Sequence, residues 1–255
     1  MVKKIVGTGV LLVLALALQA GVKMYTLKSP DGKVKLEVTA GQGIAYSLFY
    51  DGRLLLKPSR IALHTDLPEA DHWENIRITE TKQRHVSETV QAPFYRVKEF
   101  GIDCNELELR LNNGFSLLMR AYNDGMAYRF VAGRKGEMTV VEERAEFNFA
   151  DDFEAYIPYS TNPKDPWNMA FQNFYTKAPL TQYNTELPAF LPLTVDAGAV
   201  KLTLLESDLE AYPGMFVRGD GKTPALKGVF AAYPQETFKN KWRCQETVKT
   251  RRPYI

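Results

Sequence analysis

Apolar and polar residues alternate along most of this chain in short runs broken by turn signals. Val34-Lys35-Leu36-Glu37-Val38 is one run, Ile44–Tyr50 a second, and Leu107-Glu108-Leu109-Arg110-Leu111 alternates strictly. A period of two places alternate side chains on opposite faces, the mark of a half-buried strand. Pro30-Asp31-Gly32, Asp51-Gly52 and Asn112-Asn113-Gly114 stand between such runs. These residue types preset φ or tolerate positive φ, so they predict turns with a mechanism. Short alternating runs continue through Ile76–Thr89 and Gln91–Phe100. Met138–Phe149 is strand-like with less regular alternation, and Val200–Leu205 is a further strand. Leu187–Val195 carries Pro188 and Pro192 and predicts an edge strand or an irregular entry. The first half holds no long run at helical spacing. The pattern predicts an all-β fold, a large antiparallel two-sheet β-sandwich, with short turns or helices near Asp208–Tyr212.

Two stretches stand out. Phe115–Tyr122 and Met126–Val131 are rich in strand formers and flank Asn123-Asp124-Gly125. They predict a β-hairpin whose tight turn uses positive φ. Tyr128 and Phe130 fall on one face and Arg129 on the other. The second stretch is Tyr159–Met169, rich in Pro, Asn and Asp, which predicts a long surface loop. Long loops in compact domains are usually functional or mobile. Trp167, Phe171, Phe174 and Tyr175 lie in or beside it. Their faces suit stacking on sugar rings, and equally suit packing against a neighbouring domain.

Composition narrows the class. The chain has 255 residues, 45% of them hydrophobic, so it can bury a real core. Its 32 basic and 30 acidic residues are well mixed and leave a net charge of +2, which argues against nucleic acid as partner. Residues 1–20 read as a secretory signal: Lys3 and Lys4 precede the apolar run Ile5–Leu18, and Ala20 is a plausible cleavage point. That run is shorter than the ~20 residues a membrane-spanning helix needs. The mature chain is therefore expected to be exported, periplasmic or secreted, and free of the membrane. Cys104 and Cys244 are far apart in sequence, and whether they pair is open. His64, His72 and His85 show no metal-ligand spacing, and the chain carries no phosphate loop or nucleophile elbow. Glu206, Asp208 and Glu210 stand at even spacing and suit a solvated acidic rim.

Several segments, in order, resemble the N-terminal domain of glycoside hydrolase family 97, a family of periplasmic α-glucosidases and α-galactosidases. The first is Ser29-Pro30-Asp31-Gly32 with the strands around Asp51-Gly52 and Pro58-Ser59. The second is the hairpin Leu117–Phe130. Ile157-Pro158, the aromatic loop, Tyr175-Thr176 and Pro179-Leu180-Thr181 make the third, and Glu206–Met215 (ESDLEAYPGM) is the most specific. The resemblance covers nearly all of residues 25–255. It implies a super-sandwich of the galactose-mutarotase type that packs on a catalytic (β/α)₈ barrel absent from this chain, beside an α-linked oligosaccharide. It places the catalytic carboxylates on that barrel, since glycoside hydrolysis normally uses a pair of them. Beside such a barrel, Trp167, Phe171 and Tyr175 are the candidate residues for a wall of the substrate pocket. The resemblance also implies that the N-terminal domain gives a calcium ligand from the loop before Tyr175. The flanking residues place Gln172 there, where the family has an acid, with Glu186 the nearest acidic alternative. The rival expectation is a free-standing carbohydrate-binding or scaffold protein.

Overall fold

The computed structural model describes residues 23–133, 136, 138–164, 166–167, 173–207, 212–231, 233–239 and 246–252, the last two stretches by backbone alone. The leader Ile5–Leu18, Phe171, Gln172, Asp208, Glu210 and Cys244 lie outside the described residues. No helix among the described residues is long and apolar enough to cross a membrane.

The alternating runs become strands. A meander opens the fold: β1 (Lys23–Lys28), β2 (Val34–Gly41), β3 (Gly43–Tyr50) and β4 (Arg53–Thr65). A second meander follows: β5 (Ile78–Gln91), β6 (Glu99–Leu111), β7 (Phe115–Tyr122) and β8 (Gly125–Ala132). β9 (Val140–Asn148) returns to the first sheet. Next come β10 (Glu154–Ile157), β11 (Thr176–Pro179), β12 (Leu193–Asp196) and β13 (Lys201–Leu204), then β14 (Met215–Gly219) and β15 (Ala225–Phe230). β16 (Tyr233–Lys239) and β17 (Glu246–Arg252) pair with each other.

The main sheet has seven strands in the order β1-β2-β3-β4-β9-β15-β14, and β5-β6-β7-β8 stacks on its β1–β2 end. A four-stranded sheet, β11-β10-β12-β13, joins the other end through the bridge between Ala189 and Val217. The core lies between the stacked sheets. Leu36 and Val38 of β2 face it, as do Leu107 and Leu109 of β6 and Leu117 and Met119 of β7, all buried. This is the antiparallel two-sheet sandwich the pattern predicts.

Three details differ from the sequence expectation. The Asn123-Asp124 turn is tight, with Tyr122 opposite Gly125, yet none of residues 123–125 takes a positive φ. The Asn123 side chain instead accepts a hydrogen bond from the Asp31 amide at 3.0 Å, tying two turns together. The segment after Thr65 is polar in composition but buries Ala70, Trp73 and Ile76. Trp73 donates to the Leu63 carbonyl at 3.0 Å and packs edge-on to Phe130 at 5.3 Å, closing that end of the core. Finally, β5 and β6 run for 14 and 13 residues rather than as shorter pieces, and they turn at residues 92–98.

Candidate functional site

The long loop leaves β10 and returns as β11, and its two ends meet where Ile157 pairs with Thr176. Its base is tied down by polar groups that the strands leave unpaired, since buried backbone N–H and C=O must find partners. The Ser160 amide donates to the Pro188 carbonyl at 2.8 Å, and the Ser160 hydroxyl donates to the Pro166 carbonyl at 3.0 Å. The Asn173 amide group donates to the Tyr159 carbonyl, and the Tyr159 hydroxyl accepts from the Asn184 amide at 2.8 Å. Tyr183 stands edge-on to Tyr159 at 5.0 Å and donates to the Val217 carbonyl at 2.8 Å. Burial pushes its phenol well above the ordinary range. The ring lies so close to Gly219 that a Cβ there would sit 2.8 Å from Tyr183 carbons, so β14 needs glycine at this point.

On this frame Trp167 is half-buried, edge-on to the Phe216 ring at 4.9 Å. Phe174 is 99% exposed and Tyr175 48% exposed beside it. The loop thus carries two open aromatic side chains and one that is packed down.

A second cluster sits where β9 meets the segment before β14. Glu143 lies opposite Leu63 in the register, two residues before the core-facing Ala145, so it occupies a core-side position. Its carboxylate accepts a hydrogen bond from the Tyr212 hydroxyl at 2.8 Å. Burial raises its pKa, the Tyr212 bond opposes the rise, and the charge of Glu206 adds to it. Both carboxylate oxygens of Glu206 lie within 3.0 Å of the Met215 amide nitrogen, which closes the intervening segment. Burial raises the pKa of Glu206 as well, against the pull of that amide. Tyr212 stacks edge-on to Phe230 at 5.9 Å. Neither carboxylate has an ion-pair partner among the described residues. Glu206 is therefore half-buried and bound to the Met215 amide rather than part of a solvated rim, while Asp208 and Glu210 of the expected rim lie outside the described residues.

The glycosyl-hydrolase 97 N-terminal family model matches residues 27–250. The chain belongs to this family. It is 38% identical over 248 residues to a retaining alpha-galactosidase of Bacteroides thetaiotaomicron, covering 94% of this chain and 37% of that protein. A probable retaining alpha-galactosidase of Streptomyces bingchenggensis is 25% identical over 158 residues, 60% of this chain and 24% of that one. Among solved structures, a glycoside hydrolase family 97 enzyme from Pseudoalteromonas sp. strain K8 in complex with acarbose superposes with a TM-score of 0.67 at 18% identity, over 81% of this chain and 32% of that chain. A beta-arabinopyranosidase gives a TM-score of 0.68 at 19% identity, over 80% and 35%. The chain spans between about a quarter and just over a third of the length of these proteins.

The structure brings Glu206 and Tyr212 together with Glu143, which the sequence reading did not single out. The available signal was a carboxylate at a core-parity position of β9, two residues before Ala145. Of the expected pocket residues, Trp167 and Tyr175 flank one loop, and Phe171 lies outside the described residues. Glu186 is exposed in a turn where its amide donates to the Asn184 side chain at 3.1 Å, and Asn184 is bound to Tyr159 of the same loop. Calcium takes six to eight oxygens, commonly including several carboxylates. Among the described residues no three acidic, His or Cys side chains gather in a way that could hold a metal. Glu186 and its described neighbours do not make a calcium cage.

Proposed function

We propose that this chain is the non-catalytic N-terminal domain of an exported retaining α-galactosidase, packing on a (β/α)₈ barrel and forming one wall of its carbohydrate pocket. The observation that carries the reading is 38% identity to the Bacteroides thetaiotaomicron retaining alpha-galactosidase over 94% of this chain but only 37% of that protein. The substrate is an α-linked galactoside or short oligosaccharide. Phe174 and Tyr175 offer exposed ring faces to it, while Trp167 holds the loop against Phe216. The leader at residues 1–20 directs the protein to the periplasm or beyond. Calcium belongs to the assembled enzyme: this chain gives at most one ligand, at Gln172 or Glu186, and the barrel gives the others.

A hybrid tests both parts. This chain is joined to the remainder of the Bacteroides relative and assayed on aryl α-galactosides. Tyr175→Ala should raise KM about tenfold, ~1.4 kcal/mol, with little change in kcat. Gln172→Glu should tighten calcium binding measured by calorimetry. An unchanged KM would remove Tyr175 from the pocket wall, and unchanged calcium affinity would remove Gln172 from the metal.

A further inference from the structure

We propose that the projecting ends of β5 and β6 form a homodimer contact, with the ribbons of two copies crossing antiparallel about a two-fold axis. β7 covers β6 only from Cys104 onward, whereas the β5–β6 pairing continues from Ser87 and Asp103 out to Gln91 and Glu99. Five residue pairs therefore extend beyond the sheet, about 17 Å at ~3.4 Å per residue. A two-stranded ribbon is marginally stable alone in water.

The two faces of the ribbon differ. Gln83 and Asn105 turn toward β1, donating to the Thr26 and Lys28 carbonyls at 3.2 and 2.9 Å. Residues of the opposite parity share the other face: Val86 opposite Cys104, both buried at its base, then Glu88 opposite Ile102 and Val90 opposite Phe100 toward the tip. Val90 is 42% exposed and Phe100 41%, and at the tip Phe94 is 103%, Tyr95 65% and Val97 49% exposed. Tyr95 packs on Phe100 at 5.7 Å, which extends the apolar strip to the tip. A contiguous exposed apolar strip marks an interaction surface.

Charge selects the occupant. The tip carries Arg96 and Lys98, both exposed. The base carries Glu88 on the apolar face and Asp124 in the neighbouring turn, also exposed. Arg84, a cation on the Glu88 side of the ribbon, is held by Glu106 at 2.6 Å. An antiparallel crossing sets each cationic tip over the partner's anionic base, and a two-fold axis makes that match twice. An anionic lipid surface would attract the tip but repel Glu88. The ribbon also leaves from the β1 end of the main sheet. The aromatic loop is fixed at the β14 end, six strand spacings or roughly 29 Å away. The inference therefore stands apart from the barrel reading.

Sedimentation equilibrium of the purified chain from about 1 to 200 μM tests it, a span that covers micromolar Kd values. The expected result is a monomer–dimer equilibrium that Lys98→Glu weakens at least tenfold, that Glu88→Lys weakens similarly, and that the double variant restores. Phe94→Ser, at a fully exposed tip position, should also dissociate the dimer without changing the circular dichroism spectrum. A monomer throughout, a dimer indifferent to all four variants, or a double variant that does not recover would each overturn the proposal. A monomer that instead sediments with phosphatidylglycerol vesicles would overturn it in favour of a membrane contact.

Discussion

Glu106 and Glu143 both withdraw a carboxylate from solvent, and their surroundings push them in opposite directions. Glu106 lies opposite Arg84 and Arg120 in the register of its two neighbouring strands, 2.6 and 2.7 Å from their Nε atoms. Burial alone would raise its pKa, but the two guanidinium groups outweigh burial and hold it below the usual carboxylate range. Glu143 has a tyrosine hydroxyl and a second carboxylate for company, and its pKa is raised. The first arrangement locks three strands together at neutral pH. The second works against folding at neutral pH, so stability of this chain does not account for it. Departures of that kind concentrate at functional sites. This one includes Tyr212 and Glu206 of the motif most specific to the family.

The signs of the two pH dependences follow. Glu106 has a depressed folded-state pKa, so its contribution is present above the ordinary glutamate value and is lost as pH falls through the depressed one. Glu143 has a raised folded-state pKa, so its contribution is complete below the ordinary value and is lost as pH rises through the raised one.

The largest effect should come from removing the cations. Arg84→Ala with Arg120→Ala leaves the Glu106 charge buried and unpaired. Breaking a buried pair costs ~3–5 kcal/mol, and the exposure of Arg84 brings this to about 3 kcal/mol. Urea unfolding at pH 7 measures it, and the loss should shrink in acid as Glu106 takes up a proton. A loss under about 0.5 kcal/mol, within the scatter of surface substitutions, would mean that the triad holds nothing together. The smaller effect has the opposite sign. Glu143→Gln keeps an acceptor for Tyr212 and removes the buried charge, so it should stabilise the chain at pH 7.5 by roughly 0.5–1.5 kcal/mol. At pH 4 the gain should vanish. Equal gains at both pH values would show that the Glu143 pKa is not raised by folding.

The sandwich was legible because its strands alternate cleanly: Val34, Leu36 and Val38 are buried in β2 just as their period of two requires. The aromatic loop was legible from its Pro and Asn content between two strand signals. The missed features are those that tertiary context decides. The Asn123-Asp124 turn keeps negative φ, and Asn123 serves the Asp31 amide across the fold. Trp73 stood in an acidic stretch, and only the gap beside Phe115 and Phe130 makes it core. Glu206 could not be told from a surface acid without the Met215 amide that returns to it from nine residues on. The length of the β5–β6 ribbon was hidden because its outer half buries little, so period two there marks no core.

The central claim is that this domain is non-catalytic and acts only beside a barrel. The direct measurement is turnover of aryl α-galactosides and α-glucosides by purified residues 21–255, next to the hybrid that carries the barrel of the Bacteroides relative. The account predicts no turnover above background for the chain and measurable turnover for the hybrid. Turnover by the chain that survives purification and is abolished by Glu143→Gln or Glu206→Gln would contradict it, and would make the acid–tyrosine cluster a catalytic site.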